Sequence, residues 1–268
     1  MGTKAFTEDL NSEQYTRSAG VLNEYSPSEQ FGIVKGIAPG NSILDIGCNN
    51  GRLYNTANLV HGNLNYTGID MDARALDLAK EKYPEIEVIN DVYPSEKIKG
   101  KQFDVVTMYA VFQLLKDWKN VLSNLASNAK SKIVLDLAMT MDFPTIDDID
   151  LSYIYYLDSG ERVPYTILNV IQFVNYCFTE HVNAGSVHIM ATNPATTTSL
   201  AGLPRESLLR GVAIIEKDST GKQIWGAQNR IANPSFMDAV DPKDFRLPEA
   251  TIDIDGKKIQ LYPCPGIF

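Results

Sequence analysis

Asp45, Gly47 and Gly51 stand in the stretch ILDIGCNNGRLY at 43–54, which reads as a short apolar strand, a tight turn and the start of a helix. Such a turn presents bare backbone N–H groups at the carboxyl end of a strand and the amino end of a helix, where polar ligand groups are held well. An adenine-containing cofactor suits it. Two more carboxylates close apolar runs, Asp70 in YTGIDMD and Asp91 in INDVY, and Tyr109 ends a third in FDVVTMYAVFQLLKDW. Of the three histidines, His61 lies in a polar loop, while His181 and His188 flank the junction of an apolar segment and a strand. Either of these two can act as a general base, because imidazole titrates near neutrality. A solvated or hydrogen-bonded structural histidine is the simpler reading of each.

Other chemistries fit less well. A dinucleotide fingerprint G-x-G-x-x-G begun at Gly47 needs glycine at 49 and 52, where the chain has Asn49 and Arg52. The close helix approach that the third glycine permits is then blocked, which disfavours a nicotinamide cofactor. The cysteines Cys48, Cys177 and Cys264 are far apart and form no C-x-x-C, so neither a zinc knuckle nor a disulfide scaffold is indicated. Cys48 lacks a basic neighbour to lower its pKa and reads as a small loop residue. The acidic run Asp142, Asp147, Asp148 and Asp150 reads as a solvated loop rather than a cation site, and no metal is expected. A net charge of -9 lacks the basic excess that grips a phosphate backbone, which argues against nucleic acid as partner. The opening residues are polar, with no apolar leader, and no apolar run approaches membrane-spanning length. A reducing cytoplasm and no membrane partner are the expectation.

The elements that must position these residues follow from spacing. With 268 residues, 44% hydrophobic and 21% charged, the chain suits one large folded domain with an appendage. Ser26-Pro27-Ser28-Glu29 predicts a helix start with a capping box. Strands are predicted at 42–46, 66–70, 87–90, 103–109 and 132–138, with helices at 51–59, from Asp72 to Lys82, and after Asp117. This alternation implies a parallel sheet with right-handed crossovers. Residues 165–179 are apolar almost all round and predict a buried helix or internal lid. A strand is expected at 187–191, one hairpin over 211–225, and another over 251–262 around Asp255-Gly256.

The ordered set Asp45-x-Gly47-x-x-x-Gly51, Asp70, Asp91 and the segment from Phe103 to Trp118 resembles the class I S-adenosylmethionine-dependent methyltransferase family over roughly 26–140. Asn49 stands where the family usually has glycine; asparagine tolerates left-handed backbone better than other side chains. The resemblance implies a doubly wound, Rossmann-like, mostly parallel seven-stranded sheet in the order 3-2-1-4-5-7-6. It implies that Asp45, Gly47, Cys48, Asn49 and Gly51 lie under the methionine part of S-adenosylmethionine, with Asp45 near the ammonium group. Asp70 would accept from both ribose hydroxyls, since a carboxylate offers two acceptor oxygens to a diol. Met71 would pack on the adenine, Asp91 and the Val92 amide would meet its edge, and Tyr109 would lie near the sulfonium and the acceptor. Tyr15 and Arg17 would belong to an N-terminal lid, Arg17 pairing the cofactor carboxylate.

The expected organisation is a lid segment at 1–25, a catalytic domain at 26–192 with a substrate-side insertion at 141–182, and a β-rich C-terminal extension at 193–268. The expected activity is in-line methyl transfer to O or N of a small molecule, with S-adenosylhomocysteine as product and His181, His188 or Tyr109 as catalytic candidates. Tyr109–Gln113 and Tyr153–Tyr176 would help wall the acceptor pocket. Rival readings are a protein or RNA methyltransferase, a nicotinamide oxidoreductase, and a non-catalytic cofactor-binding subunit. In the last case the C-terminal hairpins would be an oligomer edge, and homo-oligomerisation is compatible with the sequence.

Overall fold

Apolar strands that alternate with amphipathic helices can bury both sheet faces only by layering helices on each side. The computed structural model shows that arrangement and describes residues 22, 25–156, 161–192, 208–217, 224–229, 250–254 and 257–261. Helix α1 spans Pro27–Gly36. Strand β1 is Ser42–Ile46, α2 Arg52–His61, β2 Asn65–Asp70, α3 Ala73–Lys82, β3 Glu87–Asn90 and β4 Phe103–Met108. Helix α4 is Trp118–Asn128, β5 Ala129–Thr140, β6 Tyr153–Tyr156, β7 Glu161–Pro164 and β8 Leu168–Asn169. Then come α5 at Val170–Cys177, β9 at Ala184–Thr192, β10 at Leu209–Lys217, β11 at Ile224–Asn229, β12 at Ala250–Ile254 and β13 at Lys257–Leu261.

The main sheet runs β3-β2-β1-β4-β5-β10-β9 and continues through β11 and β13 to β12, with β8 alongside β5. Its first seven strands reproduce the expected order, and β10 is the strand that runs antiparallel to both neighbours. Of the expected β-rich extension from 193 onward, β10 lies between β5 and β9, and β11, β13 and β12 follow β9 in the same sheet. Gly211 makes that close pairing possible; a Cβ there would meet Met190 O at 2.3 Å.

One face of the sheet packs on α1, α2 and α3 through Ile33, Ile43, Val105, Val134 and Val212. The other packs on α4 and α5 through Leu122, Leu125, Phe173 and Val174. The capping box at Ser26 is present: the Ser26 N–H donates to Glu29 Oε2 at 2.7 Å, and the Glu29 N–H donates to Ser26 Oγ.

Two expectations are corrected. Residues 211–225 are not a hairpin, because β9 takes the place between them: β10 pairs with one edge of β9 and β11 with the other, in parallel. The 165–179 helix is shorter than its apolar run. Its first residues are extended, β8 pairs with β5, and helix begins only where the Asn169 side chain accepts from the N–H groups of Ile171 and Gln172. The second hairpin is present as β12 and β13, with Asp255-Gly256 outside the described residues. Tyr15 and Arg17 also lie outside them.

Candidate active site

Strand register decides which residues share an edge of the sheet. Asp45 is level with Gly68 and Thr107, and Asp70 with Asn90. The three strand ends are then tied by hydrogen bonds. Gly47 N–H donates to Ile69 O at 2.8 Å, and Asp91 N–H to Asp70 O at 3.0 Å. Asn49 N–H donates to Asp70 Oδ2 at 2.9 Å. The sequence motifs 45–51, 70 and 91 thus form one continuous edge.

Each motif is fixed by its own local chemistry. Gly47, Asn49 and Gly51 all have positive φ, at 76°, 47° and 80°, so glycine or asparagine is what the turn tolerates. A Cβ on Gly47 would also lie 2.3 Å from Val111 Cγ2. Gly51 caps α2 in the left-handed conformation. Cys48 is buried, with its Sγ against the space a Gly68 Cβ would need; burial raises its thiol pKa, so it is a packing residue.

Asp45 is buried beneath the turn. Its two oxygens accept from the Tyr66 hydroxyl and from Thr107 Oγ1, the latter at 2.7 Å. Burial pushes its carboxyl up from 3.8 to about 6, against those two hydrogen bonds. Asp70 accepts from the N–H of Asp72 as well as that of Asn49; burial raises its pKa too. Asp91 accepts from Ser95 Oγ at 2.6 Å and from Val92 N–H at 2.8 Å. These bonds hold its carboxyl below the usual range. The Val92 N–H, expected to meet a ring nitrogen, is thus bonded to its neighbour's carboxylate. The Met71 and Val92 side chains are 42% and 54% exposed, two apolar groups left on this edge.

Tyr109 follows β4, and its hydroxyl donates to Glu29 O at 3.5 Å. That hydroxyl fills the space beside Gly32, where a Cβ would be 2.3 Å away. Burial raises its pKa well above 10. Its place is between sheet and α1, so it packs that helix onto the edge.

The histidines are elsewhere. β9 runs parallel to β5's direction, so the loop before it is at the opposite edge of the sheet. His181 is exposed there and stacks on Tyr176 with ring centroids 6.0 Å apart. His188 pairs in register with Ile214 in mid-sheet. Burial lowers its pKa, with Glu216 raising and Lys132 lowering it. Neither is brought to the edge that holds Asp70. The acidic residues at 142–150 form no group able to hold a metal ion among the described residues.

Sequence reasoning missed an ion pair on the same edge. Arg210 Nη2 donates to Asp136 Oδ2 at 2.7 Å, and Asp136 is buried. Burial raises the Asp136 pKa, while Arg210 and the Ala110 N–H oppose the rise. Tyr165 and Glu29 lie close enough to perturb the pair. The available signal was a lone carboxylate in the apolar strand KIVLDLAM and a lone arginine in LLRGVAII.

Residues 44–132 match a family model described as a methyltransferase domain. No curated protein matches the chain. Among solved structures, the N-terminal domain of EvdMO1 with S-adenosylhomocysteine bound aligns with a TM-score of 0.52 at 14% identity, covering 78% of this chain and 85% of that one. The O-methyltransferase of a trans-AT polyketide synthase multienzyme from Brevibacillus brevis aligns at 0.51 and 13% identity, covering 80% and 77%. A putative S-adenosylmethionine-dependent methyltransferase from Listeria monocytogenes aligns at 0.50 and 16%, covering 74% and 96%. These likenesses establish the fold. The family match over residues 44–132 agrees with that fold, that of a methyltransferase domain. No helix among the described residues is long and apolar enough to cross a membrane.

Proposed function

We propose that this protein is an S-adenosylmethionine-dependent methyltransferase that acts on an oxygen or nitrogen of a small molecule, and that its cofactor lies along the edge joining Asp45, Asp70 and Asp91. The observation that carries the placement is the direct bonding of the three strand ends through Gly47, Asn49 and Asp91. The residues present fit an adenosyl group. The positive-φ turn presents backbone with no side chain at Gly47, Asp70 supplies a carboxylate for a ribose diol, and Met71 and Val92 supply exposed apolar cover for a flat base. Asp91 is assigned to the adenine amine. Val92 is assigned a side-chain contact, since its N–H is bonded to Asp91.

When bound, S-adenosylmethionine supplies an electrophilic methyl group on a positively charged sulfur. Asp45, buried beneath the turn, acts through its charge rather than by direct contact. Buried carboxylates favour a cationic ligand over its neutral product in a low-dielectric site. The remaining task is orientation, and a well-positioned acceptor gains most of its rate from geometry alone. Tyr109 and the Asp136–Arg210 pair lie on the side of the sheet under α1 and form the polar floor next to the acceptor. An acceptor that is a neutral amine, or already deprotonated, needs no histidine.

The test is calorimetry with S-adenosylmethionine and S-adenosylhomocysteine on wild type, Asp70→Ala and Asp70→Asn, with folding checked by circular dichroism. Loss of a diol-binding carboxylate should weaken binding about 100-fold in Asp70→Ala, and less in Asp70→Asn, which keeps one acceptor oxygen. Unchanged affinity in a folded Asp70→Ala protein would mean that the ribose is held elsewhere.

A further inference from the structure

The turn after β4 carries a buried acceptor with no donor among the described residues. Gln113 is 4% exposed, and its side-chain Oε1 has no hydrogen-bond partner among the described residues. Buried polar groups in folded proteins are nearly always paired, because an unpaired one has given up water for nothing.

Its address is informative. Two residues earlier, Val111 crowds Gly47 in the turn assigned to the cofactor. On the other side, Gln113 O accepts from Thr166 N–H at 2.6 Å, and Leu115 O accepts from Thr166 Oγ1 at 3.3 Å. Residues 111–115 therefore bridge the cofactor turn and the segment around Thr166. That segment is apolar: Tyr165, Ile167 and Leu208 cluster there, with Leu114 and Phe143 packed against them.

We propose that Gln113 selects the acceptor, its Oε1 taking a hydrogen bond from the hydroxyl or amine of a flat, apolar molecule of the phenol or aromatic-amine class. The inference rests on the methyl-transfer reading of the same site. Gln113 stands in a turn whose backbone is bonded to this apolar segment, and a neutral acceptor in such surroundings matches a ligand with one neutral donor on an apolar body. A heavily hydroxylated or ionic ligand would leave its other polar groups unpaired there. An analogue lacking the donor would leave Oε1 unpaired, which is how such a site discriminates.

The experiment uses the full chain and two probes, phenol and toluene, which differ in that donor. Ligand-observed NMR, with and without S-adenosylhomocysteine, should show phenol bound about tenfold more tightly than toluene by wild type. In Gln113→Leu, of similar volume, the preference should fall to about one, while calorimetry shows S-adenosylhomocysteine binding unchanged. The variant's Tm should be equal or higher, since an unpaired group is removed. A clearly lowered Tm would show that the amide is paired within the fold, and the proposal fails. It also fails if the two proteins prefer phenol equally, or if wild type shows no preference. Failure of wild type to bind S-adenosylhomocysteine defeats the cofactor placement instead, and the phenol comparison without cofactor still decides the role of Gln113.

Discussion

Asp45 joins the sheet's interior to its chemistry, and its titration is measurable. Burial raises its carboxyl from 3.8 to about 6 in the folded protein. The folded form thus holds the proton more tightly than the unfolded chain does. Its contribution to stability is fully present below the unfolded value and is lost as pH rises through about 6. Two pKa units correspond to roughly 3 kcal/mol, an upper figure for a fully buried group. Urea denaturation at pH 4 to 7 on wild type and Asp45→Asn should show wild type losing stability relative to the variant across this window. Parallel curves would mean that Tyr66 and Thr107 compensate the burial of the charge. The same residues mark the limit of legibility at this scale. Asp45, Asp70 and Asp91 were readable because each stands at or next to the end of an apolar run, and neighbouring strands of a parallel sheet end on one edge. Asp136 and Arg210 are 74 positions apart, and only the insertion of β10 beside β5 brings them together. Gln113 was legible only as the end of the Tyr109–Gln113 pocket wall, since an unpaired atom is a property of packing, not of residue type.

At the scale of elements, α1 holds one wall of the site. Its amino end carries Glu29, whose carbonyl meets Tyr109, and its Gly32 admits the Tyr109 hydroxyl. Its carboxyl end carries Lys35, whose carbonyl accepts from Lys132 Nζ on β5. The helix therefore spans the sheet from the site edge to the opposite edge, and its start was legible from Ser26-Pro27-Ser28-Glu29. Removing the cap in Ser26→Ala should cost about 1 kcal/mol, because two N–H groups of the first turn lose their partners or their geometry. Urea denaturation measures that cost, and the loss should be nearly independent of pH above the carboxylate range. A larger loss accompanied by weaker S-adenosylhomocysteine binding would show that the first turn is coupled to the cofactor edge. What the sequence concealed among the elements was the fate of apolar runs. The 165–179 run looks helical by composition, yet pairing of Leu168 and Asn169 with β5 satisfies backbone groups that helix would otherwise use. Periodicity cannot separate a buried strand from a buried helix in such a run.

For the whole molecule, the decisive fact is that chain order and sheet order disagree. β10 is sequentially remote from the first five strands, separated from β9 by residues 193–208, yet it sits between β5 and β9 and pairs with both along most of its length. Val212, Ile214 and Ile215 on it are buried in the two clusters that flank the sheet. We therefore place the end of the catalytic unit after β10, at 217, rather than at 192. Two truncations separate these possibilities. A chain ended at 192 leaves β5 and β9 without the strand between them, and with it goes the Arg210 partner of buried Asp136. Unpaired strand edges and a buried, unneutralised carboxylate each cost several kcal/mol against a total stability of about 5–15, so this chain should fail to unfold cooperatively. A chain ended at 217 keeps the seven-strand order intact and leaves β9 as an edge strand. It should show a single thermal transition and bind S-adenosylhomocysteine with nearly wild-type affinity, as measured by calorimetry. Cooperative folding of the shorter chain would place β10 outside the essential core, whereas loss of folding in the longer one would make β11 to β13 part of it.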